Sequence, residues 1–180
     1  MELEPKKGMV IVYTGDGKGK TTAALGMCVR AVGHGLKLCI VQFVKGTWKY
    51  GELEGLKKLG PNVELHVMGK GCVGILGDKL PLEEHRKEAL SALELATEKI
   101  NSRRYNIVIL DEINVAVKLE LIPVEEVLEL IESRPQEVTL VLTGRAADPQ
   151  IVKVADLVTE MLDIKHPYQL GILAMKGIDY

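Results

Sequence analysis

Neither sign of charge dominates this chain: 23 Lys and Arg stand against 25 Asp and Glu, and the isoelectric point is near 6.1. That balance gives no electrostatic reason to expect nucleic acid or an anionic membrane as partner. Apolar runs are short, well under the roughly 20 residues of a membrane span. Met1 to Gly8 contain no apolar core of a secretory signal, so a cytoplasmic protein is expected. Cysteine is scarce, at positions 28, 39 and 72 only. The odd count, the wide spacing and the lack of a Cys-x-x-Cys pair support neither a disulfide framework nor a zinc site. Cys28 falls in a helical pattern and Cys39 in a strand, where each reads as a small apolar core residue. The histidines at 34, 66, 85 and 166 pair with no other ligand type at metal-binding spacing and read as structural. Aromatic residues are few, and no internal repeat or low-complexity segment is visible.

What is present is an alternation of short apolar runs with longer helical patterns. The length of 180 residues fits one domain with a sizeable core, spanning 1–180. Strands are predicted at Met9–Tyr13, Lys37–Val44, Val63–Val67, Ile107–Leu110, Val138–Thr143 and Leu157–Leu162. Helices are predicted over Lys20–Val32, ended by Gly33-His34-Gly35, and over residues 52–59, ended by Gly60-Pro61. A longer helix opens at Pro81, with Leu82, His85, Ala89, Leu93, Ala96 and Ile100 along one face. Another opens at Pro123, with Val124, Val127, Leu128 and Ile131 toward the core. A last short one starts at Asp148-Pro149 and runs to about Ala155. Such alternation predicts an α/β fold, a mostly parallel sheet with helices on both faces. Right-handed crossovers then collect the strand C-terminal ends on one rim, where ligands bind.

On that rim lies the most informative stretch, Thr14-Gly15-Asp16-Gly17-Lys18-Gly19-Lys20-Thr21-Thr22, between the first strand and the first helix. The glycines at 15, 17 and 19 leave backbone N–H groups free to turn inward around phosphate oxygens. Lys20 reaches the terminal phosphates, the Thr21 hydroxyl ligates Mg²⁺, and the helix presents its positive end to the anion. The standard loop has its first glycine at the place taken here by Thr14; Gly15 comes one residue late, so the loop is an altered version. The chain reads as a nucleotide-binding, single-domain P-loop NTPase-like (RecA-like) protein. Asp111-Glu112, at the tip of the fourth strand, form the expected second support for Mg²⁺, directly or through water, with the direct ligand undecided. The alternative is a solvated strand end with two acidic caps. Arg145, after the fifth strand, either clamps a phosphate or pairs with a carboxylate. Arg30 lies ten residues past Lys20, about 15 Å along the helix axis, out of reach of loop-bound phosphates in the usual nucleotide orientation.

The chain resembles the P-loop corrinoid adenosyltransferases, the ATP:cob(I)alamin adenosyltransferases of the cobalamin pathway. The resemblance rests on Thr14–Thr22, Arg30-Ala-Val-Gly-His-Gly35, Val41-Gln-Phe-Val-Lys-Gly46, Val108-Ile-Leu-Asp-Glu112 and Leu142-Thr-Gly-Arg145. It continues through Ala155-Asp-Leu-Val-Thr-Glu-Met161, Lys165-His-Pro-Tyr168 and Gly177-Ile-Asp-Tyr180. These segments run in order over nearly the whole chain, and the altered glycine spacing matches the family's own loop. The resemblance implies attack of a Co(I) corrinoid on the ribose C5′ of ATP, with release of triphosphate. It implies ATP bound with Mg²⁺ (or Mn²⁺) in a reversed sense, which brings Arg30 beside Thr14–Thr22 and Arg145 as an ATP-binding residue. Lys20, Thr21 and Glu112 are the implied catalytic residues. A homodimer and an electron-donating flavoprotein are implied as partners.

The family carries a Gly-Phe-Thr-Trp pattern after the third strand, whose bulky rings displace the lower ligand of Co(II) corrinoid. Here that segment is Met68-Gly-Lys-Gly-Cys72-Val-Gly74-Ile75-Leu76, with Cys72 for Phe and Gly74 for Trp. Met68, Cys72 and Gly74 are the positions matched to the corrinoid site. Ile75 and Leu76 are an alternative wedge, and Trp48 and Tyr50 candidate interface or corrinoid-wall aromatics. The lost rings, each worth 150–250 Å² of burial, leave other readings open. One is a small-molecule kinase or NTPase; another is a regulatory ATP-binding protein that has lost the corrinoid site.

Overall fold

The computed structural model describes residues 7–45, 50–71, 73, 78 and 80–180. Among these described residues six strands form one sheet: β1 (Val10–Thr14), β2 (Leu38–Gln42), β3 (Val63–Val67), β4 (Ile107–Asp111), β5 (Thr139–Thr143) and β6 (Leu157–Glu160). All are parallel, in the order β3-β2-β4-β5-β1-β6. The helices are α1 (Lys20–Gly33), α2 (Gly51–Lys57), α3 (Leu82–Asn101), α4 (Ile113–Lys118), α5 (Val124–Ser133) and α6 (Pro149–Val154), with a 3₁₀ turn at Pro167–Leu170.

The central strands are buried on both faces, which is why they read as unbroken apolar runs rather than as alternation. One face carries Val10, Val12, Cys39, Val41, Val108, Leu110, Leu140 and Leu142 against α3, α4 and α5. The other carries Ile11, Leu38, Ile40, Ile109 and Val141 against α1 and α2. Small residues on α1, Ala24, Cys28 and Ala31, let that helix approach closely. Burial of each Ile or Leu contributes roughly 1.5–3 kcal/mol. The two described free cysteines are core residues, as expected, and burial pushes the thiols up to about 11 for Cys28 and about 12 for Cys39.

Connections that run one way along the sheet use the α1 face and those that run back use the α3 face. The strand C-terminal ends therefore share one rim, and β1 and β5 lie side by side where the connections diverge to opposite faces. Three expectations are corrected. Leu82 is 46% exposed rather than part of the buried face of α3. A helix, α4, follows Asp111-Glu112 directly, where none was expected. β6 is a short edge strand exposed on both faces, ending at Glu160 rather than at Leu162.

Candidate active site

The phosphate loop is shaped by Lys20, whose buried ammonium donates to the carbonyl oxygens of Gly15 and Gly17, each at 2.7 Å. Burial, followed by the neighbouring Arg145, holds this ammonium below its ordinary pKa. Its third N–H remains for a ligand oxygen. Gly19, in the left-handed region at φ 118°, starts α1 without a side-chain cap, so the first-turn N–H groups face outward as an anion site.

The other two glycines have a role beyond the expected one. The Gly17 N–H donates to the Met161 carbonyl at 2.7 Å, so it is turned to the chain leaving β6, not to a phosphate. A Cβ on Gly17 would stand 2.5 Å from the Leu162 carbonyl oxygen, and one on Gly15 would strike the Met161 carbonyl. Main chain packs on main chain there, which only glycine permits. The Thr14 hydroxyl accepts from the Ala147 N–H at 3.0 Å and ties the loop to the turn after β5.

Behind the loop, Asp111 is fully enclosed by donors. Its Oδ1 accepts from the Thr21 and Thr143 hydroxyls, each at 2.8 Å, and its Oδ2 from the Gln42 amide at 3.0 Å. Glu112 takes a left-handed conformation at φ 65° as α4 begins, and its N–H donates to Thr143 Oγ1 at 2.9 Å. Its carboxyl lies in the cleft beside Lys20, Thr21 and Arg145. Burial, then the charge of Asp111, raises its pKa above the usual carboxylate value. The Thr21 hydroxyl and the Glu112 carboxylate, which line the cleft with Asp111 enclosed behind them, are hard oxygen donors, a set that suits Mg²⁺ or Mn²⁺.

The cleft, about 510 Å³, runs from Gly17–Thr22 past Glu112 and Arg145 to Lys45 and Glu52, an ion pair at 3.3 Å. Lys45 also lies 4.2 Å over the Tyr50 ring. Its far wall comes from the C-terminal segment: His166 and Gly177–Tyr180 line it, and Asp179 pairs with Lys18. That pairing, then the Met175 N–H, lowers the Asp179 pKa. Sequence reasoning missed Gln42, Lys45, Glu52, His166 and Asp179 as site residues. Gln42 carried a signal, being the polar end of the otherwise apolar run Leu38–Gln42.

Asp16 and Lys18 are exposed on the loop, and Thr22 is exposed in the first turn of α1. Arg30 is exposed on α1 and outside the cleft lining, as its distance along the helix implies. Met68 packs half-buried against the core. Cys72, Gly74, Ile75, Leu76 and Trp48 lie outside the described residues. Two histidines do pair with carboxylates, against the sequence reading: His85 with Asp78 at 2.9 Å and His66 with Glu64 at 2.6 Å. Cys39, Glu64 and His66 converge as metal-ligand types, but Glu64 is already held by Lys99 at 2.8 Å and by the Tyr105 hydroxyl. The Lys99 ammonium and the His66 ring both address Glu64 Oε1, so these side chains form a hydrogen-bonded ion-pair network.

A glycine-rich loop on a parallel sheet, its lysine folded into the loop and its threonine joined to a strand-end carboxylate, defines a P-loop nucleotide-binding protein. The family profile for "ATP:corrinoid adenosyltransferase BtuR/CobO/CobP" matches residues 6–180. The chain is 38% identical over 179 residues to a corrinoid adenosyltransferase of Escherichia coli (strain K12), covering 99% of this chain and 89% of that one. It is 37% identical to one of Pseudomonas aeruginosa (99% and 87% covered) and 41% identical to one of Sinorhizobium sp (97% and 81%). The chain belongs to the BtuR/CobO/CobP family of ATP:corrinoid adenosyltransferases.

Proposed function

We propose that this protein transfers the 5′-deoxyadenosyl group of ATP to the cobalt of a reduced corrinoid. The electron pair of Co(I) forms the Co–C5′ bond as the C5′–O bond breaks, and triphosphate leaves with the bonding pair. The match to the family over residues 6–180 carries this reading, and the cleft supports it with cations where a triphosphate needs them. Co(I) is a strong nucleophile, so the protein's contribution is mainly placement, worth on the order of 7–11 kcal/mol for well-oriented groups.

Lys20 and Arg145 neutralise charge gathering on the departing triphosphate, and the first-turn N–H groups of α1 orient it. Thr14–Thr22 form the cradle, while Arg30 enters on the resemblance alone. Thr21 and Glu112 would hold Mg²⁺ or Mn²⁺, with Asp111 behind them. When bound, the cation supplies charge stabilisation to the leaving group. Met68, Cys72 and Gly74 are assigned to the corrinoid side. A flavoprotein electron donor and a cytoplasmic setting complete the proposal; no helix among the described residues is long and apolar enough to cross a membrane. A homodimer is supported by the β6 edge, where Leu157 and Val158 are about 40% exposed on opposite faces and Ile164 beyond is 88% exposed.

The test is incubation with ATP, Mg²⁺ and chemically reduced Co(I) corrinoid, following adenosylcorrinoid by absorbance and the release of triphosphate. Both products are expected. ATP binding with no adenosylcorrinoid would leave a nucleotide-binding protein without this reaction, and release of ADP or orthophosphate would point to a kinase or NTPase.

A further inference from the structure

We infer that Thr143, assisted by Gln42, is a positioning residue that sets which of two adjoining carboxylates faces the nucleotide cleft. The inference rests on the proposed binding of a cation with ATP beside Glu112. Thr143 is fully buried at the end of β5, behind Asp111, and acts through other residues. Its single hydroxyl proton goes to Asp111 Oδ1 at 2.8 Å, and a lone pair of the same oxygen takes the Glu112 N–H at 2.9 Å. One atom thus orients the side chain of the first acidic residue and the main chain of the second.

The turn between them is spanned by that pair of hydrogen bonds. Glu112 has φ 65°, a conformation L residues adopt only when the surroundings enforce it. The neighbouring chain is packed for the same purpose: Gly144 has φ 129°, and a Cβ there would lie 3.0 Å from Asn114 Cβ and from Val115 N. With Glu112 turned this way, its carboxyl lines the cleft while Asp111 stays enclosed.

Gln42 completes the clamp. Its amide nitrogen donates to Asp111 Oδ2 at 3.0 Å, while its Oε1 is buried with no hydrogen-bond partner among the described residues. Flipping the amide would set that oxygen against the carboxylate, so Asp111 dictates the orientation and the unpaired oxygen follows. Gln42 and Asp111 are also register partners across β2 and β4. Both oxygens of Asp111 are thereby occupied, and it serves as the frame that aims Thr21 rather than as the residue offered to a cation.

Thr143→Val keeps the shape and removes both hydrogen bonds; Thr143→Ser keeps the hydroxyl. ATP binding is measured by calorimetry across a Mg²⁺ series and in EDTA, and bound Mn²⁺ is counted by EPR. Thr143→Val should raise the Mg²⁺ needed for half-maximal ATP binding about 10-fold or more, the range typical for groups that orient metal ligands. Binding in EDTA should stay unchanged, and Thr143→Ser should restore the Mg²⁺ response. Gln42→Met should move it in the same direction, and serves alone if Thr143→Val does not fold. Wild-type dependence on Mg²⁺ with no shift in a folded variant, or a Ser variant as impaired as Val, overturns the inference. Wild-type ATP binding indifferent to Mg²⁺ overturns the cation reading itself, and the inference with it.

Discussion

The Gly17 N–H and the Met161 carbonyl oxygen, 2.7 Å apart, join the phosphate loop to the chain leaving β6. The loop is therefore built on an edge strand as well as on the strand that precedes it, and its glycines answer to both. A side chain on Gly17 must displace backbone at Leu162, which has no flexible end to yield. Gly17→Ala should cost about 1–3 kcal/mol, the usual penalty for forcing a methyl group into a packed site. A thermal melt reads this directly, and an unchanged midpoint would show that the contact gives way without cost.

Lys20→Ala removes the ammonium that holds the Gly15 and Gly17 carbonyls and faces the cleft. Loss of such a charge donor costs roughly 10²–10³-fold in rate where it meets developing charge. The fall should appear in kcat/KM for ATP, together with lost affinity for free triphosphate. Retained triphosphate affinity would assign Lys20 to loop architecture alone.

Asp111→Asn and Glu112→Gln should diverge. Asp111 accepts three hydrogen bonds in the interior, so replacing one oxygen with an amide leaves donors facing donors and costs about 1–3 kcal/mol of stability. For Glu112 the folded-state pKa is raised by burial, so its ionised form opposes folding at neutral pH. Glu112→Gln should therefore melt no lower than wild type at pH 7, while ATP binding loses its response to Mg²⁺. Equal stability losses in both variants would refute this division of labour.

Glu64 supplies a stability prediction away from the cleft. The Lys99 ammonium, then the Tyr105 hydroxyl, hold its pKa down to about 2 from 4.5. The sign follows: this network stabilises the fold above pH 4.5 and the contribution is lost as pH falls toward 2. The Glu64 side chain is 39% exposed, so solvent screens the pairing and its worth is about 1 kcal/mol at most. Denaturant midpoints of wild type and Glu64→Gln should differ at pH 7 and converge at low pH; a constant gap would rule the network out.

The strands were legible because a parallel strand buried on both faces must be apolar throughout, as Leu38–Val41 and Leu140–Leu142 are. The loop at Thr14–Thr22 was legible because few sequences need three glycines before Lys-Thr. Helix α4 was not: Ile113-Asn-Val-Ala-Val-Lys118 is rich in β-branched residues, and its start is set by the left-handed turn of Glu112, which a hydroxyl from β5 holds in place. The contact of Gly17 with Met161 and the wall formed by residues 177–180 were equally hidden. Each depends on tertiary approach between distant segments, and neither leaves a local period or a turn signature. The His66–Glu64 pair was visible in principle, since positions two apart on a strand share a face.

Lys18 and Asp179, the two sides of the nucleotide cleft, are 161 residues apart in sequence. At about 5–20 residues per second, a ribosome that has just made the phosphate loop needs roughly ten seconds or more to supply the opposite wall. Over that interval the nascent chain carries the floor of its nucleotide site with the far side still unwritten. A cleft walled on both sides thus exists only once residue 179 has been made.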